Sequence, residues 1–333
     1  MSGYRLHAQD EYNHQASAEP NFNESVYLNA FDETGGYGGW MRLGNRINEG
    51  RAELSVCLYL PDGQVACQFL RPAITTNERF SAGGLHYTVT TPLSAVQMNF
   101  EGEVMVLADP EWMREPRLAF QRAVRQPCAV EFRHLGVSPI HGGEPLDATQ
   151  PTMYGRNFSL GHFNQHSRAT GYIRVGEQEL TINGFGWRDH SWGPRYWTNI
   201  YFYRLFIANF GPDRGFMLLK ITDRQGHTRR CGVLQYDGDY EEIIDLDVLT
   251  EWTANKDPKH IKLGVRTAQR AVRIEGEILS LLPLRNRREE AGEALQSRIA
   301  EGLTRWTWDD RQGLGMTEYI EVLENGVPVG YPL

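Results

Sequence analysis

Apolar and polar residues alternate with a two-residue period through much of the chain. Residues 85–91 (LHYTVTT), 97–100 (QMNF), 129–134 (AVEFRH) and 171–175 (GYIRV) each read as strands with one buried face. The run 199–210 (NIYFYRLFIANF) is long and apolar enough for a strand buried on one or both faces. Only two stretches carry a helical period. Pro110 to Gln126 has a weak one, and Arg285 to Glu301 sets Ala291, Ala294, Leu295 and Ile299 at helical spacing.

The pattern also repeats. Residues 54–69 (LSVCLYLPDGQVACQF) match 216–233 (FMLLKITDRQGHTRRCGV): each is a strand, a polar turn holding Gly63 or Gly226, and a returning strand with Cys67 or Cys231. Residues 99–110 (NFEGEVMVLADP) match 273–283 (RIEGEILSLLP) around a shared Glu-Gly-Glu. The offset is 163 residues at the first pair of glycines and 174 at the second, so the second copy carries an insertion of 11. Each helical stretch follows its own Glu-Gly-Glu strand. The expected architecture is all-β: two tandem β-barrels or sandwiches related by internal duplication, with one short helix per copy. The Gly- and Pro-rich segment His141 to Pro151 is the expected linker, giving domains at 1–145 and 146–333.

Composition narrows the function. The chain of 333 residues is 41% hydrophobic and 23% charged, the balance of a globular protein. No stretch approaches the roughly 18 consecutive apolar residues of a membrane helix. The first thirty residues are polar, without the apolar core of a secretory signal, so a cytoplasmic location is expected. Net charge is −8, the wrong sign for a broad nucleic-acid interface. The four cysteines (Cys57, Cys67, Cys128, Cys231) form no CxxC pair and read as free, mostly buried thiols.

Residues 184–203 (GFGWRDHSWGPRYWTNIYFY) are unlike the rest. Eight of the twenty are aromatic, against 11% for the chain, and three of the eight tryptophans lie there, around Arg188, Asp189 and His190. On a strand, Trp187, Asp189 and Ser191 share one face; Arg188, His190 and Trp192 share the other. If the first face points into a barrel, Asp189 sits in a pocket of low polarity, where burial raises a carboxyl pKa and suits it to acid chemistry. The plainer alternative is a bend-capping Asp, with Gly193-Pro194 finishing the turn. His162 and His166 lie four apart and share a face, but no third ligand of recognised spacing accompanies them, so no metal is expected. His7, His14, His86, His134, His141, His227 and His260 are scattered and carry no spacing signal. Glu318 is expected at an exposed hairpin position, the alternative being a place facing the cavity.

The run GWRDHSWG (186–193) resembles the signature segment of the carotenoid hydratase (hydroxyneurosporene synthase) and AttH-like group, in which an aromatic residue stands two before an Asp, followed by His and a Trp-Gly pair. The Glu-Gly-Glu strands and the closing GLGMTEY (313–319) resemble it more loosely. The resemblance implies two lipocalin-like (calycin) barrels in tandem, the second carrying the motif. It also implies cofactor-independent acid catalysis on a hydrophobic, isoprenoid- or steroid-like substrate. By position the proton donor is Asp189, with His162 from an upstream strand and His190 assisting, and His166 the second choice for the upstream histidine. Trp187 stands where the group often has Tyr, leaving a hydroxyl for Tyr196 or Tyr201 to supply. Trp187, Trp192, Tyr196, Trp197 and Tyr201 are the expected pocket lining. Hydration of a C=C bond, dehydration of a tertiary alcohol, and isomerisation or cyclisation all remain open on such a site. So does a carrier of hydrophobic ligands with no chemistry. A small hydrophobic substrate is the expected partner, and a homodimer is left open.

Overall fold

The computed structural model describes residues 3–329, apart from 148, 150, 151, 157, 291 and 292. The chain divides into two compact units: Met1–Ala108 with Ala123–Tyr196, and Asp109–Arg122 with Trp197–Leu333.

In the first unit the strands are β1 (Tyr4–Arg5), β2 (Phe22–Asp32), β3 (Tyr37–Arg46), β4 (Arg51–Tyr59), β5 (Val65–Leu70), β6 (Ser81–Ala82), β7 (Leu85–Thr91), β8 (Ala95–Leu107), β9 (Val124–Gly136), β10 (His141–Pro145), β11 (Gly161–Val175) and β12 (Gln178–Pro194). All pairings are antiparallel. The ladder β2-β3-β4-β5-β8-β9-β11-β12 closes because β12 returns to β2, pairing Asp189 with Tyr27 and Trp192 with Glu24. The interior is filled by Val26, Leu28, Met41, Val56, Met98 and Phe132, all essentially inaccessible.

The second unit contains α1 (Pro116–Arg122) and β13 (Ile200–Asn209), β14 (Arg214–Asp223), β15 (Thr228–Tyr236), β16 (Asp239–Trp252), β17 (Pro258–Thr267), β18 (Ala271–Glu290), β19 (Glu293–Trp308), β20 (Arg311–Glu324) and β21 (Val327–Pro328). Here β13 to β20 pair in sequence order, and β20 closes on β13. Phe206, Phe216, Leu234, Trp306, Trp308 and Tyr319 fill this barrel.

The repeat is visible in its turns. In the β4–β5 and β14–β15 hairpins the turn glycine donates its N–H to the carbonyl three residues earlier, Gly63 to Leu60 and Gly226 to Asp223. The two glycines have φ of +83° and +84°, the left-handed region that disfavours a side chain. The same backbone problem is solved by the same residue at both sites.

Three expectations are corrected. The stretch 285–301 is not a helix but the far end of the β18–β19 hairpin, with Leu284 opposite Ile299 and Arg285 opposite Arg298. The two-residue period prevails there: Leu295 and Ser297 are buried while Ala294 and Gln296 are exposed. Ala291 lies outside the described residues. Pro110–Gln126 yields only a single 3-10 turn (Pro110–Arg114) and α1, and both belong to the second unit, where Arg114 pairs with Asp257. The segment from His141 is not a linker, because β10 is a strand between β1 and β11. The division accordingly falls at Tyr196/Trp197 rather than at 145/146: β11 and β12 are hydrogen-bonded to β9 and β2, which holds the GWRDHSWG run in the first unit. Among the described residues no helix is long and apolar enough to cross a membrane.

Two buried titratable groups tie stability to pH. Glu301 faces Glu318 across β19 and β20, and burial, reinforced by the Glu318 carboxylate, pushes its pKa well above the usual value. A carboxyl raised in the folded state contributes stability that is complete below about pH 4.5 and declines as pH rises towards its folded pKa. Glu301→Gln is expected to raise the unfolding free energy at pH 7–8 by about 1–3 kcal/mol. In urea titrations the gain should vanish near pH 4. His134 follows Phe132 on the inward face of β9, and burial, with the Arg188 charge second, holds its pKa down to about 3. Stability from this neutral imidazole is complete above the unfolded pKa of about 6.5 and is lost as pH falls towards 3, at up to about 1.4 kcal/mol per pH unit. His134→Leu should therefore flatten the loss of stability between pH 7 and 5, measured by urea midpoints.

Candidate functional site

The GWRDHSWG run lies in β12, hydrogen-bonded to β11 on one edge and β2 on the other. Its alternation is the one the sequence predicts, but its sense is reversed. Arg188 and His190 stand opposite Leu28 and Val26, members of the barrel core, so they point inward. Trp187, Asp189 and Ser191 lie on the outward face, and that face is largely buried as well.

On the outward face, Asp189 is flanked by Asn164 on β11 and Tyr27 on β2. Its Oδ2 lies 3.7 Å from Nε2 of His162. The carboxylate keeps 21% of its side-chain surface exposed, whereas His162 is buried. Burial lowers the His162 pKa, and Asp189 only partly opposes this. The ring of His162 is fixed by the edge of Tyr154, with centroids 4.6 Å apart, and its Nδ1 lies 3.3 Å from Asn164 Nδ2. Trp187 is buried; its backbone N–H donates to Asn29 Oδ1 at 2.8 Å and its ring meets His166 edge-on at 4.5 Å. Tyr27 stacks on Trp40, with ring centroids 5.9 Å apart, and its hydroxyl accepts from Asn29 Nδ2 at 3.2 Å. Immediately after β12, Arg195 donates to Ser191 Oγ and to the Phe158 carbonyl, with its guanidinium 4.1 Å over the Phe158 ring. Burial lowers its pKa to about 9, with the Arg42 charge the next cause.

On the inward face, Arg188 pairs with Glu11 at 2.6 Å and donates through Nε to Gln165. Glu11 also accepts from the Tyr87 hydroxyl and the Leu93 N–H. A buried guanidinium is tolerated inside a barrel because the Glu11 carboxylate and the Gln165 side-chain oxygen meet it there. His190 Nε2 lies 2.6 Å from Glu24 Oε1, and Trp192 stacks on His14 and donates to Glu144. Gly161 leaves room for the Trp192 indole, which would lie 2.1 Å from a Cβ at that position.

The predicted residues thus separate. Asp189, His162, His166 and Trp187 share one face; His190 and Trp192 share the opposite one. The Tyr196 hydroxyl, beyond the strand, donates to Glu19 at 2.9 Å. Trp197 and Tyr201 belong to the second unit. Tyr27 was missed, and it is the tyrosine opposite Asp189. Its signal was the alternation of Ser25, Tyr27 and Asn29 with Val26, Leu28 and Ala30, which reads as a strand polar on one face. A cavity of about 290 Å³ in the second unit is lined by Arg114, Asp257, Pro283, Arg298 and Leu323 among others, and includes none of these residues.

The fold has solved counterparts. An AttH-like protein from Nitrosomonas europaea superimposes with a TM-score of 0.60 at 13% identity, covering 96% of this chain and 98% of its own. CghA matches with a TM-score of 0.60 at 13% identity, covering 92% and 90%. Kievitone hydratase from Nectria haematococca gives 0.56 at 10% identity, covering 95% and 93%. At such identities the likeness is one of fold, and it agrees with the AttH-like architecture implied by the motif. No curated protein matches the sequence. The family described as Domain of unknown function (DUF7064) matches residues 7–323, and the chain belongs to that family.

Proposed function

We propose that this protein is a hydro-lyase acting on a hydrophobic small molecule by acid catalysis, with Asp189 as proton donor and His162 as its proton partner. The observation that carries this reading is the contact between the part-exposed Asp189 carboxylate and buried His162, on a face that also bears Trp187 and Tyr27. A hydratase among the proteins of the same fold supports it.

The proposed chemistry balances with these groups alone. The Asp189 carboxyl gives its proton to one carbon of a C=C bond, the π pair forms the new C–H bond, and a carbocation is left on the adjacent carbon. Aromatic faces beside the carboxyl stabilise that cation, each by roughly 0.5–2 kcal/mol when desolvated. Water adds through its oxygen, and the proton it sheds goes to His162 Nε2, which is neutral because burial lowers its pKa. The proton then returns to Asp189 across the 3.7 Å contact. The reverse sequence removes water from a tertiary alcohol.

The test uses an apolar extract of the source organism, incubated separately with wild type and Asp189→Asn and compared by untargeted mass spectrometry. A compound gained or lost by one water with wild type is expected, with the rate reduced about 10²–10⁴-fold in Asp189→Asn. Equal conversion by both proteins overturns the assignment of Asp189, and ligand retained unchanged by both marks a carrier. Once a substrate is in hand, the rate should fall on the acid side with a midpoint below 6.5, the sign set by a His162 that must be neutral. His162→Gln should remove that limb.

A further inference from the structure

The inward face of the motif strand carries a cluster that the acid chemistry does not use. Residues His14, Glu24 and His190 come from three separate segments: the irregular stretch after a 3-10 turn (Ala8–Glu11), β2 and β12. One donor atom from each lies within 4.8 Å of the other two. Nδ1 of His14 and Nε2 of His190 converge on the same carboxylate oxygen, Glu24 Oε1, at 2.9 and 2.6 Å. The second oxygen, Oε2, is fixed by the backbone N–H of His14 at 3.1 Å.

We propose that His14, Glu24 and His190 bind a divalent first-row metal ion of the zinc type. Two imidazoles and one carboxylate form a donor set suited to such an ion, and the absence of thiolate from it disfavours softer metals. The surroundings resemble those of a built site. Asp10 Oδ1 holds the other ring nitrogen of His14 at 3.3 Å, the carboxylate–histidine–metal arrangement that fixes ring orientation and raises ligand basicity. The His14 ring stacks on Trp192 with centroids 4.0 Å apart and planes 16° apart. His190 is packed edge-on by Phe80 and Phe163, each at 5.4 Å. Glu24 is wholly buried, while His14 and Asp10 each keep about a fifth of their side chains exposed, so an ion enters from their side.

Donors to one tetrahedral zinc stand about 3.3 Å apart, given bonds of about 2.0–2.1 Å. The present spacings are those of hydrogen bonds, and the site opens by about 0.5 Å when the bridging protons give way to a cation. One feature limits affinity: Nδ1 of His190 is buried without a hydrogen-bond partner, so this ligand lacks the outer support that His14 has. A dissociation constant on the order of micromolar is expected, roughly 10–100-fold weaker than for a fully supported site.

The experiment strips the tag-free full chain with a chelator, dialyses it against ZnCl₂ or CoCl₂, and counts metal per chain. One equivalent is expected for wild type, with a visible cobalt spectrum showing nitrogen ligation. His14→Gln and His190→Gln should each weaken binding at least 10-fold. Asp10→Asn, which only orients His14, should weaken it about 10-fold and leave the stoichiometry at one. His227→Gln, an exposed histidine of the second unit, should bind as wild type does. Circular dichroism checks that each variant is folded; because His190 is buried, the part-exposed His14 and Asp10 variants carry the decision if His190→Gln fails to fold. Wild type that retains no zinc at tens of micromolar, or a folded His14→Gln with unchanged affinity, overturns the site.

Discussion

The register of β12 between β11 and β2 is the constraint on which the first unit depends. A strand hydrogen-bonded along both edges cannot slip by one residue without sending every side chain to the opposite face. Here both faces are specified. Inward, Arg188 must meet Glu11 and His190 must meet Glu24; outward, Asp189 must lie beside His162. A slip would bury Asp189 in an apolar core and strand Glu11 without its cation. Removing one partner of a buried pair typically costs about 3–5 kcal/mol, so these contacts lock the register far more firmly than apolar packing alone.

The same lock explains why one short run can meet two different environments. Successive residues of a strand are about 3.3 Å apart along the chain yet point to opposite faces. Asp189 faces a part-open aromatic surface while its neighbour His190 faces the barrel interior. Charge on one face is answered by partners on that face: Asp189 meets His162 outward, and His190 meets Glu24 inward.

Much of the architecture was legible in local sequence. The matched turns of Gly63 and Gly226 need only a few residues to be recognised, and the alternation within 186–193 needs only the strand period. What escaped was everything decided by distant pairing. The stretch 285–301 satisfies a helical count of apolar positions, but Leu295 and Ile299 are claimed by the hairpin with β18. The division of the chain could not be placed correctly because β12 closes onto β2, more than 150 residues upstream. Tyr27 beside Asp189, and His14 beside His190, were invisible for the same reason: neither lies near its partner in sequence. Which face of β12 points inward was likewise set by Val26 and Leu28 on β2, not by β12 itself.

The contact between Glu11 and Arg188 spans 177 residues, and this has a consequence for biosynthesis. The amino-terminal carboxylate leaves the ribosome first, yet its cation and the strand that closes its barrel come near the end of the first unit. At about 5–20 residues per second the nascent chain waits roughly 10–35 s before Glu11 can be neutralised. During that interval β2 presents an unpaired edge, open to wrong partners. The second unit has the same design over a shorter span, since the free edge of β13 waits for β20, as in the pairing of Phe206 with Thr317. Of the two barrels, the first therefore leaves its opening strand unpaired along one edge for longer.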